Sequence, residues 1–139
     1  MNQINFFSED ISFELSNHQK HVDWIFSFIH HFNFQCGELS FIYCSDEHLL
    51  KMNKEHLRHD YYTDIITFNY VADTVLNGDI FISIDRVMDN SKSFNTNFAD
   101  ELRRVMAHGV LHLIGFNDKS DEEQKKMTEA ENVCLEMYK

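Results

Sequence analysis

The sequence predicts an α+β fold, a small mixed β-sheet packed against several α-helices. Three observations predict it. Short runs rich in Phe, Ile and Val alternate with longer stretches of helical apolar spacing, in the order β-α-β-α-β-β-α-α-α. A length of 139 residues with 43% hydrophobic and 14% aromatic content supplies one real core and little room for a second, so residues 1–139 read as a single domain. Proline is absent and glycine is only 4, which argues against a disordered or collagenous chain.

Each element has its own signal. INFFSED and ISFELS near the N-terminus are short Phe/Ile-rich pieces that read as strands. Asn17 is placed to cap a helix running to about Asn33, in which Val22, Ile25, Phe26, Phe28, Ile29 and Phe32 recur at helical spacing. GELSFIYCSD is a strand with Leu39, Phe41 and Tyr43 alternating. Ser45 then caps a short helix whose first turn carries Asp46 and Glu47, favourable at the positive end of the helix dipole. DIITFNYV is strand-like through β-branched and aromatic residues. Asn77-Gly78 is a turn signal, and DIFISI alternates Ile80, Ile82 and Ile84, so the two runs predict an antiparallel hairpin with its loop around residues 72–77. A helix from Asp85 follows. Asn97 caps ADELRRVMAHGVLHLIG, and Gly115 is placed to end it. Ser120-x-x-Glu123 is a capping box that opens the last helix.

Charge and cysteine usage narrow the function classes. A formal net charge of -11 disfavours tight non-specific nucleic-acid binding, which needs Lys and Arg against phosphate, although a local basic surface is compatible with it. Carboxylates also favour cations. Cys36, Cys44 and Cys134 are scattered with no CxxC pair, as expected of free thiols in a reducing compartment. The N-terminal residues show no signal-peptide pattern, and no apolar run approaches a membrane span, so a cytoplasmic protein is expected.

The chemistry is concentrated in HGVLHLIGFND. His108 and His112 are four residues apart on a predicted helix, which stacks both imidazoles on one face where they can grip one ion. Leu102, Val105, Met106, Gly109 and Leu113 form the apolar stripe of that helix, with the histidines on its flank, at the edge of the core. Gly109 would let another backbone pass close. Gly115 lets the chain turn back, which brings Asp118 into reach as a third ligand. Three protein ligands and one open position describe a catalytic metal site.

These residues resemble a known family. HGVLHLIGFND resembles the H-G-x-L-H-L-x-G-Y-D-H signature of the YbeY family, metal-dependent endoribonucleases of ribosomal RNA maturation. MNKEHLRHDYYTDIITF resembles the family's L-N-x-x-[YF]-…-T-[DN]-V-L-S-F block, and NGDIFISIDRV its L-G-D-I-x-I-[SC] strand. The similarity runs from about residue 39 onward. It implies a single-strand-specific endoribonuclease for small-subunit ribosomal RNA processing, maturation and ribosome quality control, with RNA and the ribosome or ribosome-associated proteins as partners. It implies zinc at His108 and His112. The family's third histidine is here Asp118, and Asn117 replaces the preceding Asp, so the site is either His-His-Asp or weakened or lost. A carboxylate keeps the ligand count and moves preference toward harder ions such as manganese or magnesium. The family's functional arginine is matched by Arg58, offset by about a residue, and His56 and His59 are further candidates for phosphate contact. Catalytic roles are thus expected of His108, His112 and Arg58. Asp64 and Asp79 also match family positions, as structural acceptors or catalytic groups, and Arg104 projects to the histidine side of its helix.

Two other functions fit parts of the pattern. The ligand spacing is also that of H-E-x-x-H-x-x-G-x-x-H/D zinc metalloproteases, but the Glu that serves there as general base is here Gly109. A non-catalytic ribosome-assembly factor would hold a structural metal with four protein ligands, the fourth from Asp121 or a cysteine.

Overall fold

The computed structural model describes residues 3–56 and 63–138. Its elements follow the predicted order: β1 (Gln3–Ser8), α1 (His18–His31), β2 (Gln35–Cys44), α2 (Asp46–His56), β3 (Ile65–Asn69), β4 (Val75–Ser83), α3 (Ile84–Ser93), α4 (Phe98–Ile114) and α5 (Asp121–Glu136). The four strands form one mixed sheet in the order β1-β2-β4-β3. β1, β2 and β4 run parallel, and β3 returns antiparallel along β4.

Strand alternation divides the core. Leu39, Phe41 and Tyr43 of β2, with Leu76, Ile80 and Ile82 of β4, pack with Trp24 and Phe28 of α1 and Leu102, Met106 and Val110 of α4. The alternate positions Cys44 and Ile66 form a smaller cluster with Leu49 of α2. No helix among the described residues is long and apolar enough to cross a membrane.

Helix ends are fixed by side chains and backbone. The Ser45 hydroxyl accepts from His48 N–H to start α2, and Ser83 accepts from Arg86 N–H to start α3. The Ser83 hydroxyl also donates to Asp46, onto which Arg86 forks at 2.8–3.3 Å, so the N-termini of α2 and α3 are locked together. Asn97 and the Ser120/Glu123 capping box start α4 and α5 as predicted.

Four local expectations are corrected. ISFELS forms no strand; it runs as irregular chain with Leu15 buried and Phe13 packed edge-on against Tyr43 and Phe98. Asn17 stands at the α1 cap position in a left-handed conformation, φ 55°, and makes no side-chain cap; its carbonyl accepts from His21 instead. Asn77-Gly78 lies inside β4, and the hairpin turns at Ala72–Val75 with Asp73 at φ 58°. Asn77 instead secures a bulge: its Oδ1 accepts from Glu38 N–H where β2 carries an extra residue, the register passing from Cys36–Leu76 to Leu39–Gly78. Ile84 belongs to α3 rather than to the strand.

Candidate metal centre

The site begins with how closely α4 lies on the sheet. A Cβ at Gly109 would stand 2.7 Å from Ile65 Cδ1 and 2.8 Å from Ile80 Cγ2. A Cβ at Gly78 would stand 2.8 Å from Leu113 Cδ1 and 2.8 Å from the Phe68 carbonyl oxygen. The helix glycine thus sits on strand side chains, not on backbone as expected, and the strand glycine receives a helix leucine. With Leu102, Val105, Met106 and Leu113 turned inward, His108 and His112 emerge on the flank, 21% and 26% exposed.

Gly115 ends α4 at φ 124°, a conformation in which a side chain would be strained although nothing would crowd it. The following turn is closed by Phe116 N–H to Leu111 O and Gly115 N–H to His112 O. It carries the chain back so that Asp118 faces the histidines. The Nε2 atoms of His108 and His112 are 2.9 Å apart, and Asp118 Oδ2 lies 3.3 Å from one and 3.4 Å from the other. Donors about 2.0–2.2 Å from a tetrahedral zinc are separated by roughly 3.3–3.6 Å. The two edges to Asp118 match that spacing, and the imidazole pair needs to open only slightly.

The hydrogen bonds behind the rings decide the lone pairs. His108 Nδ1 meets Glu131 Oε2 at 2.6 Å, and His112 Nδ1 meets the Phe116 carbonyl at 3.0 Å. Each partner offers an acceptor oxygen, so both Nδ1 atoms donate and both Nε2 atoms face one point. At 2.9 Å the two Nε2 atoms are close enough to share one proton or, opened slightly, one cation. The surrounding charge favours either. Burial alone would lower the His108 pKa, but the hydrogen bond to Glu131 and the charges of Glu131, Asp64 and Asp118 outweigh it and raise it. Burial raises the carboxyl pKa of both Asp64 and Glu101. The donor set and its field therefore fit a divalent cation.

Among the described residues, His108, His112 and Asp118 are brought together as candidate ligands. Arg58 and His59 lie outside the described residues. His56 is the last residue of α2, its ring near Phe68. The Asp64 carbonyl accepts from Ser83 N–H, and its half-buried carboxylate is within the field of His108. Asp79 pairs mid-ladder between Ser40 and Phe68, and so does not stand at a strand end. Arg104 reaches Glu131 at 2.8 Å and Asn132 at 2.9 Å; Arg103 reaches Asp100 and lies over the Tyr138 ring. All three cysteines are free and buried, with Cys36 pushed up to about 11 and Cys44 and Cys134 to about 12 by burial, so they stand as neutral thiols.

Sequence reasoning missed Glu131. Its signal was present: Met127, Ala130 and Cys134 make the buried stripe of α5, and Glu131 falls within that stripe. A charge on the buried face of a helix calls for a partner.

Comparisons with known proteins place the chain in a family. The sequence pattern of the family described as Endoribonuclease YbeY matches residues 3–139. A Christiangramia forsetii protein named Endoribonuclease YbeY is 46% identical over 136 residues, covering 98% of this chain and 94% of its own. A Bacteroides thetaiotaomicron protein of the same name is 47% identical over 116 residues, covering 84% and 85%. A Thermotoga maritima protein solved in solution shares the fold, with a TM-score of 0.67 at 22% identity over 98% of this chain and 89% of its own. With nearly its whole length matched, the chain belongs to the YbeY endoribonuclease family.

Proposed function

We propose that this protein is a metal-dependent endoribonuclease that cleaves single-stranded RNA, with ribosomal RNA precursors as substrate and the ribosome as the setting of its action in the cytoplasm. Residues 1–139 act as one metallohydrolase domain. The observation that carries the reading is the convergence of His108 Nε2, His112 Nε2 and Asp118 Oδ2 on one point, in a chain of this family. A divalent ion, zinc by the nitrogen-rich donor set, supplies Lewis acidity toward a phosphoryl oxygen and a lowered pKa for water. The chain's own residues do the rest. His108 and His112 hold the ion with lone pairs fixed from behind, and Asp118 closes the third side. Partial exposure of all three side chains leaves an approach for RNA. Arg58 is assigned to phosphate contact through the family resemblance alone.

The two other readings weaken on specific observations. A protease would need a carboxylate at position 109, and there even a Cβ would press on Ile65 and Ile80 inside the core. A closed structural site would need a fourth protein ligand. The group assembled among the described residues has three members, and the cysteines are buried and protonated.

The test is cleavage of a labelled single-stranded RNA by purified protein, with and without chelator. Cleavage should stop with chelator and return with added zinc or manganese. His112→Ala should retain the fold by circular dichroism, lose the metal by elemental analysis and lose cleavage. Undiminished cleavage in chelator would overturn the reading.

A further inference from the structure

α5 contributes no ligand, yet it carries the group in closest contact with one. Glu131 is 7% exposed. Its Oε2 accepts from His108 Nδ1 at 2.6 Å, and its Oε1 accepts from Arg104 Nη1 at 2.8 Å. Arg104 is fixed in turn by Asn132 Oδ1 at 2.9 Å, one residue further along α5. A relay thus runs Asn132–Arg104–Glu131–His108, across α5 and α4 and back.

From this relay we infer that Glu131 is a positioning residue for the metal centre, and that Arg104 holds it in that role. The inference rests on the proposed metal site and deepens it. Glu131 faces the Nδ1 side of the imidazole, away from the point where both Nε2 atoms converge. Both its oxygens are engaged, so it acts on the ion only through His108. It does so in two ways. As an acceptor it holds the Nδ1–H tautomer and the ring orientation. As an anion it draws that proton toward itself and makes the Nε2 lone pair a stronger donor. His112 has only a backbone carbonyl behind it, so the two imidazoles are inequivalent. Glu131 would be costly without these partners, because a desolvated carboxylate beside Asp64 and Glu101 meets like charge. Arg104 offsets that charge and, by occupying Oε1, keeps the carboxylate from swinging round to ligate the ion itself.

The experiment compares the full-length protein with Glu131→Ala, Glu131→Gln and Arg104→Met. One readout is zinc affinity by competition with a chromophoric chelator. The other is the tautomer of His108 by imidazole nitrogen NMR on metal-free protein, assigned against His108→Gln. Glu131→Ala should lose about 10–100-fold in zinc affinity and release His108 into mixed tautomers, with His112 unchanged. Glu131→Gln keeps an acceptor oxygen, so the tautomer should persist while affinity falls several-fold. If the alanine variant does not fold, this isosteric variant carries the test. Arg104→Met should give a loss smaller than Glu131→Ala. Zinc affinity within twofold of the parent in Glu131→Gln, or an unchanged His108 tautomer in folded Glu131→Ala, overturns the inference. Neither readout involves RNA, so failure of the nuclease reading would leave this result standing. A parent protein that binds no zinc would sink both.

Discussion

Asp118 reaches the two imidazoles from a loop with 40% of its side chain exposed, whereas both histidines are held from behind at Nδ1. It is the least constrained of the three donors, and the only oxygen among them. Replacing it tests what the carboxylate contributes. Asp118→His should keep or raise zinc affinity and lower manganese affinity, since imidazole is the softer donor. Titration of both ions into both proteins measures the ratio. If neither the zinc nor the manganese affinity changes, Asp118 is not part of the coordination sphere. This triad was legible in the sequence because each member lies within one turn or one loop of the next. The i,i+4 spacing fixes two donors, and a helix stop at Gly115 predicts a return of the chain. Glu131 was not legible in the same way, because 23 residues and a second capped helix separate it from His108. Only the packing of α5 on α4 makes them neighbours.

Between elements, the same distinction explains what was misread. Helix starts at Ser45, Asn97 and Ser120 depend on a hydroxyl or amide three residues from its partner, and all were readable. Asn77-Gly78 has the residues of a tight turn, but Gly78 is glycine because Leu113 of α4 occupies the space, a cause located 35 residues away. ISFELS alternates like a strand because its odd positions face the core, yet it packs without joining a ladder. The lock between α2 and α3 was equally invisible, and it sets an acid dependence. Burial alone would raise the Asp46 pKa; hydrogen bonds from Arg86 and Ser83, with the Arg86 charge, outweigh it and hold the carboxyl below the ordinary value of 3.8. A depressed folded pKa means that the unfolded chain takes up its proton first as pH falls. The stabilisation is therefore complete above the ordinary carboxylate range and disappears as pH drops through the folded value. Asp46→Asn should cost about 1–2 kcal/mol at neutral pH, allowing for solvent screening at half-exposed Arg86. That difference should shrink toward zero as pH falls below the ordinary carboxylate range, in denaturant unfolding followed across pH. A difference that stays constant with pH would mean that the ionised state of Asp46 contributes nothing.

For the whole molecule, charge poses a problem that a bound metal would answer. With 23 acidic residues against 12 Lys and Arg, the chain repels a polyanion at long range. The candidate site is itself negative, because Glu131, Asp64 and Asp118 all act on His108. On the proposed reading, a cation bound there would meet the phosphate alongside Arg58. The fold would support that cation through α4, which lies close on β3 and β4 at Gly109 and Gly78, and through α5, which meets α4 at Glu131 and Arg104. RNA affinity should then depend on metal loading as well as on salt. Binding of a short single-stranded 2′-O-methyl RNA, followed by fluorescence anisotropy, separates the two. At about 150 mM salt, chelated protein should bind no tighter than the weak end of non-specific association, a Kd of roughly 10⁻⁴ M. Loaded protein should bind at least about tenfold tighter, and its affinity should fall only gently with added salt, since few Lys or Arg contacts release counterions. If chelated protein bound this RNA as tightly as loaded protein, with a steep salt dependence, a basic surface would be the anchor and the ion would have no part in holding substrate.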